Sequence, residues 1–156
     1  MIEQTAPLLT LGWREWVSLP GLGIAQIKAK IDTGARTSAL HAFEINDYEQ
    51  GGKPWVRFKI HPLQKDINTV IECRAPITDQ RVVSDSGGHK EQRWVITTDV
   101  VIGSHSWPAE FTLTSRDDML FRMLLGRTAM KNRAMVNPAR SYLVGKKRVK
   151  KTVKHS

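Results

Sequence analysis

The chain has 156 residues, 40% of them hydrophobic and 25% charged, which suits one globular domain with its own core. No apolar run approaches the ~20 residues of a membrane helix. Seven of the 24 basic residues lie in 140–156, which contains no acid, so 17 bases face 15 acids before position 140 and the formal charge of +9 is largely a property of the C-terminal end. Such an end can hold phosphate, yet no aromatic follows Tyr142 to stack on bases. The start, MIEQTAPLLTLGWREW, lacks the basic and apolar regions of a signal peptide. With Cys73 the single cysteine, a reducing, cytoplasmic setting is the expectation.

In chain order, strands dominate. Trp13, Glu15 and Val17 lead into the turn Pro20–Gly23. Ile27, Ala29 and Ile31 alternate with polar residues in the period of a half-buried strand. His41, Phe43 and Ile45 form the next alternation, followed by a polar loop ending at Gly51-Gly52. Strands are expected around Val56–Ile60 and Thr69–Arg74. Arg81–Val83 and Arg93–Ile102 then form a long hairpin about the polar stretch Ser84–Gln92, and Trp107–Thr114 gives another strand. One short helix is expected over Thr128–Met135, stopped by Pro138. Short strands at this spacing predict an all-β single domain, a barrel or a sandwich, with one short C-terminal helix. The compositional boundary near Leu143 divides a domain over 1–143 from a basic, disordered tail over 144–156.

Asp32-Thr33-Gly34-Ala35 follows directly on the Ile31 strand. An aspartate at a strand end projects from a rigid element, and glycine two residues later allows a sharp turn. Threonine can tie the loop to backbone. A dyad of aspartates about 3 Å apart shares one proton, one member acting as base and the other as acid. With one Asp-Thr-Gly per chain, the second carboxylate has to come from another copy across a twofold axis. Alone, Asp-Thr-Gly reads first as an ordinary turn, since all three residues are turn formers. Two further elements add weight: Met123-Leu124-Leu125-Gly126-Arg127 downstream, and between them the hairpin 82–96 with Ser86-Gly87-Gly88-His89 near its tip.

These three elements in this order resemble the retropepsins, single-domain aspartic peptidases of retroviral type. The stretch from Asp32 to Ala42, Arg-Val-Val at 81–83 and Phe-x-Leu-x-x-Arg at 111–116 resemble one bacterial and archaeal family of retropepsin-like proteins, also labelled ATP-dependent zinc proteases. The similarity runs from about Gly12 to Leu143. It implies the acid-protease fold, a closed single-domain β-barrel, together with a homodimer and peptide hydrolysis with Asp32 as catalytic residue. Thr33, Gly34 and Ala35 would form its loop, Gly126 and Arg127 would support it, and Ser86, Gly87 and Gly88 of the flap would touch substrate. Family members often occur beside ligases that add glutamate to proteins, which implies glutamate-rich or glutamate-modified substrates. The sequence contains neither a His-Glu-x-x-His zinc motif nor a phosphate-binding Gly-x-x-x-x-Gly-Lys loop, so no cofactor and no metal are expected.

Several positions keep two readings. His41 is a group near the cleft or a strand histidine satisfied by backbone. Arg36 stands where viral enzymes place an aspartate, and it either selects acidic substrates by forked pairing or is a surface charge. Arg127 then needs another partner, with Asp117 or Asp118 as candidates. Ala35 offers no hydroxyl to the ionised carboxylate, which predicts activity at mildly acidic to neutral pH. The alternatives to a peptidase are a non-catalytic peptide-binding module of the same fold and a nucleic-acid- or ribosome-associated protein using the basic tail.

Overall fold

The computed structural model describes residues 8–84, 87–115 and 120–147. Among these residues twelve strands follow one another: β1 (Leu9–Gly12), β2 (Arg14–Leu19), β3 (Ile24–Asp32), β4 (Ser38–His41), β5 (Phe43–Gln50), β6 (Lys53–Ile60), β7 (Ile71–Pro76), β8 (Asp79–Ser84), β9 (Lys90–Ile102), β10 (His105–Thr114), β11 (Met123–Gly126) and β12 (Ala134–Asn137). The helix α1 (Arg127–Met130) precedes the last strand. None of the described helices is long and apolar enough to cross a membrane.

Alternation explains most of these strands. In β3, Ile27, Ala29 and Ile31 are buried, while Lys30 is exposed. Seven strands pair in the order β10-β4-β11-β3-β2-β9-β8, and β10 also pairs with β9. A second sheet, β5-β6-β7, turns Val56, Phe58, Ile60, Cys73 and Ala75 into the common core. There burial pushes the Cys73 thiol up to about 12. The chain is thus mostly β and a single domain, as the alternation predicts.

The structure corrects three expectations. His41–Ile45 is two strands, broken at Ala42, because β4 pairs with β10 and β11 while β5 pairs with β6. The expected polar loop before Gly51 is strand up to Gln50. Gly51 and Gly52 then close a two-residue turn at φ 60° and 76°, the left-handed pair that such hairpins require. The helix expected over Thr128–Met135 stops at Met130. Asn132 takes φ 63°, and Ala134–Asn137 instead pairs in parallel with Leu9–Gly12. A ladder to a distant segment outweighs the weak helix propensity of so short a stretch.

Glu15 anchors the C-terminal end. It is 0% exposed, and its carboxylate accepts hydrogen bonds from four backbone amides: Gly12 at 2.6 Å, Leu143 at 3.0 Å, Val144 at 3.0 Å and Gly145 at 2.7 Å. The Trp16 amide donates to the Gly145 carbonyl at 3.2 Å. A Cβ on Gly145 would lie 1.9 Å from the Trp16 carbonyl oxygen, so only glycine fits this approach. Packing therefore continues past Leu143 to Gly145, while residues 148–156 of the expected tail lie outside the described residues.

Candidate active site

β11 lies between β3 and β4, parallel to the first and antiparallel to the second. The β3–β4 connection, residues 33–37, must therefore arch across the end of β11. Gly126 makes that crossing possible. A side chain there would put its Cβ 2.7 Å from the Thr37 carbonyl carbon and 2.9 Å from the Ser38 nitrogen. This is the physical reason for glycine in Leu-Leu-Gly-Arg.

The arch is tied down at several points. Buried Ser38 accepts the Gly126 amide on Oγ at 2.9 Å. The Arg127 amide donates to the Ala35 carbonyl at 2.8 Å, and the Thr128 amide to the Arg36 carbonyl at 3.1 Å. Thr128 Oγ1 donates to the same carbonyl at 2.7 Å. Arg127 Nη1 donates to the Gly34 carbonyl at 3.1 Å. Arg127 thus supports the loop through backbone; Asp117 and Asp118, its expected partners, lie outside the described residues.

Asp32 ends β3 opposite Gly126 and is half-buried. Its Oδ1 accepts the Gly34 amide at 3.0 Å, a bond that orients the carboxylate. Thr33 and Gly34 are exposed and Ala35 is half-buried.

Beside the loop runs a groove of about 710 Å³, whose lining includes Gly34, Ala35, Arg36, Arg81, Val83 and Ser84. The hairpin β8–β9 forms its other wall, paired from Asp79↔Val95 to Ser84↔Lys90. Gly87 and Gly88 are exposed at the tip, and Ser86 lies outside the described residues.

Cations dominate the groove. Arg81 is paired with Asp79 at 2.8 Å and Glu110 at 2.5 Å. The Gln80 amide, and then Arg81, hold the Asp79 carboxyl below its ordinary range. Arg93, also in the lining, meets Glu91 at 3.3 Å. Among the described residues, the exposed Arg36 has no carboxylate partner.

His41 stands apart from the groove lining. It closes β4, is 5% exposed, and its Nδ1 lies 3.3 Å from Arg122 Nη1. A guanidinium only donates, so this nitrogen is assigned as the acceptor.

Three contributors were not singled out from sequence: Ser38, Thr128 and the Arg81–Glu110 pair. Ser38 lies within the Asp32–Ala42 stretch and Thr128 directly follows Arg127, but short polar residues near a glycine turn read as ordinary turn formers. Among the described residues, no three His, Cys, Asp or Glu side chains converge to hold a metal ion.

A β-rich domain with an Asp-Thr-Gly loop arched over a Leu-Leu-Gly-Arg strand, and a hairpin across the groove, has the architecture of a retropepsin-like protein. The chain belongs to the RimB-like family, described as retropepsin-like aspartic endopeptidase RimB, whose profile matches residues 10–147. It is 42% identical over 137 residues to a probable alpha-L-glutamate ligase of Shewanella pealeana, covering 88% of this chain and 30% of that protein. A protein with the same description from Parasynechococcus marenigrum is 47% identical over 137 residues, covering 88% and 29%. The chain therefore spans about 30% of the length of the curated relatives it matches. In fold it is similar to a Legionella pneumophila protein of unknown function, with a TM-score of 0.73 at 24% identity, covering 86% of this chain and 97% of that one.

Proposed function

We propose that the chain is an aspartic endopeptidase whose dyad is completed by Asp32 of a second copy, and that its substrates are glutamate-rich or glutamate-bearing polypeptides. The observation that carries this reading is the mounting of Asp32: a carboxylate oriented by the Gly34 amide, on a loop fixed by Gly126, Arg127 and Thr128 at the rim of a groove. In the proposed reaction two Asp32 carboxylates share one proton. One takes a proton from water as the water oxygen bonds to the peptide carbonyl carbon, and the other protonates the carbonyl oxygen. The tetrahedral intermediate then loses its amine as the C–N bond breaks and the nitrogen gains a proton. The β8–β9 hairpin closes over the substrate and excludes water.

Unpaired Arg36 supports a carboxylate-bearing substrate, and the relatives described as glutamate ligases fit a domain that acts on added glutamate. We infer also that the ring of pairings β10-β4-β11-β3-β2-β9-β10 closes the main sheet into a barrel. The second copy would pack against the hollow bordered by Thr33, Arg127 and Met130, where Met135 is 53% exposed.

Incubating the protein with α-linked glutamate peptides and following new amino termini tests the proposal. Turnover should fall at least about a thousandfold in Asp32→Asn, and sedimentation should give a dimer. A second reading is a peptide-binding module. It is supported by β8, whose pairings run to β9 alone among the described strands, leaving an edge for strand addition. Binding by a monomer with no turnover in the unaltered protein would favour that reading.

A further inference from the structure

We propose that the outward face of β2 and β3 is a track for an acidic polypeptide leading away from Asp32, a reading that rests on the peptidase proposal above. Alternation sets Lys28, Lys30 and Asp32 on the face of β3 opposite the buried Ile27, Ala29 and Ile31. Successive side chains on that face are about 6.6 Å apart. Alternate residues of an extended peptide repeat at the same spacing, so a strand leaving Asp32 can present one carboxylate to each lysine.

The first position has a shaped socket. Lys30 lies in register with Leu124 on one side and Arg14 on the other. A hollow of about 400 Å³ is lined by Trp13, Leu120, Phe121, Leu124 and Lys30. Apolar walls with one cation match a glutamate side chain, whose methylenes lie against rings while its carboxylate reaches an ammonium.

The next cations are already positioned. The Arg14 guanidinium sits 4.6 Å from the Trp13 ring centre and 5.0 Å from that of Tyr142, and its Nε donates to Ser141 Oγ at 3.2 Å. Lys28 Nζ is 5.3 Å from the Trp16 ring and donates to Gln64 Oε1 at 3.1 Å. Among the described residues, no carboxylate pairs with Arg14, Lys28 or Lys30. Cations held by rings and neutral acceptors are not already paired with an acid and lose little freedom when an anion arrives.

The same charge could attract nucleic acid, but a single strand also needs open ring faces for its bases. Here Trp16 and Tyr142 stack on each other at 6.3 Å and 20°, and Lys28, Arg14 and Lys147 lie over these rings. The filled ring faces favour an acidic peptide.

Fluorescence anisotropy on the full chain carrying Asp32→Asn, which separates binding from turnover, tests the track. The probes are α-linked glutamate chains of four and ten residues, and an oligothymidylate matching the charge of the longer chain. The ten-residue chain should bind at least tenfold more tightly than the four-residue one, with a steep salt dependence. Adding Lys28→Gln and Lys30→Gln should remove that advantage. An unchanged length dependence in the triple variant would overturn the proposal, as would equal binding of oligothymidylate that falls equally on substitution. If the chain with Asp32 intact cleaves neither peptide while the binding pattern holds, the peptidase proposal fails and the track stands.

Discussion

Two carboxylates, Glu15 and Asp32, each close a loop by accepting backbone amides, and they do so to opposite ends. Glu15 is fully buried and takes four N–H groups, so its acceptor capacity is filled and nothing remains for a ligand. Asp32 is half-buried and takes one described amide, that of Gly34, so it has acceptor sites to spare at the rim of a groove. Saturation of hydrogen bonding separates a carboxylate that holds the fold from one free to do chemistry.

The largest expected effect comes from exchanging each acid for its amide. Glu15→Gln turns an NH₂ toward backbone donors and should cost about 3–5 kcal/mol, since it breaks a buried charge-assisted network. Asp32→Asn should change stability by less than about 1 kcal/mol, because its carboxylate is partly solvated. Cys73 provides the readout: its buried thiol, pushed up to about 12, reacts only when the core opens. Labelling of Cys73 should accelerate strongly in Glu15→Gln and hardly at all in Asp32→Asn. Equal rates would remove the distinction between the two acids.

Next come the glycines that each region requires. A Cβ on Gly145 would meet the Trp16 carbonyl oxygen at 1.9 Å, and one on Gly126 would meet the Thr37 carbonyl carbon at 2.7 Å. Both obstacles are backbone, which yields poorly. Gly145→Ala should cost about 3 kcal/mol and Gly126→Ala about 1–3 kcal/mol, measured by denaturant midpoints. The comparison sharpens if peptide cleavage is followed too. Gly126→Ala should lower kcat at least tenfold by displacing the arch that carries Asp32, whereas Gly145→Ala, below its melting range, should retain activity. Loss of activity in both would mean the two regions are one cooperative unit.

The two regions were also unequally legible in the sequence. The Asp32 loop is local: strand alternation ending at Ile31 and a turn signal lie within a dozen residues, and Leu-Leu-Gly-Arg adds a second recognisable piece. Local pattern could not say that β11 enters between β3 and β4, because that depends on pairings some 90 residues apart in the chain. The Glu15 clasp is less legible still. Glu15 shares the core-facing parity of Val17, and a charge on that side signals a need for partners. Three of its four partners are backbone amides at 143–145, and an amide donor is common to every residue but proline, so residue type does not announce it. β1 and β12 share this difficulty, since four-residue strands with distant partners carry almost no periodicity of their own.

The smallest effect tests how tightly the arch must be held. Thr128 binds the Arg36 carbonyl twice, through Oγ1 at 2.7 Å and through its amide at 3.1 Å. Thr128→Val keeps the side-chain shape and the amide bond but loses the hydroxyl, so the carbonyl is not orphaned. The stability cost should be about 0.5–1 kcal/mol. If that bond also positions the loop for catalysis, kcat should fall by more than this cost implies, with KM nearly unchanged, and Thr128→Ser should restore it. A shift in KM alone would instead place Thr128 against substrate, consistent with its place in the groove wall. Full activity in Thr128→Val would show that Gly126, Ser38 and the Arg127 contacts hold Asp32 without it, so that the arch has more ties than its function requires.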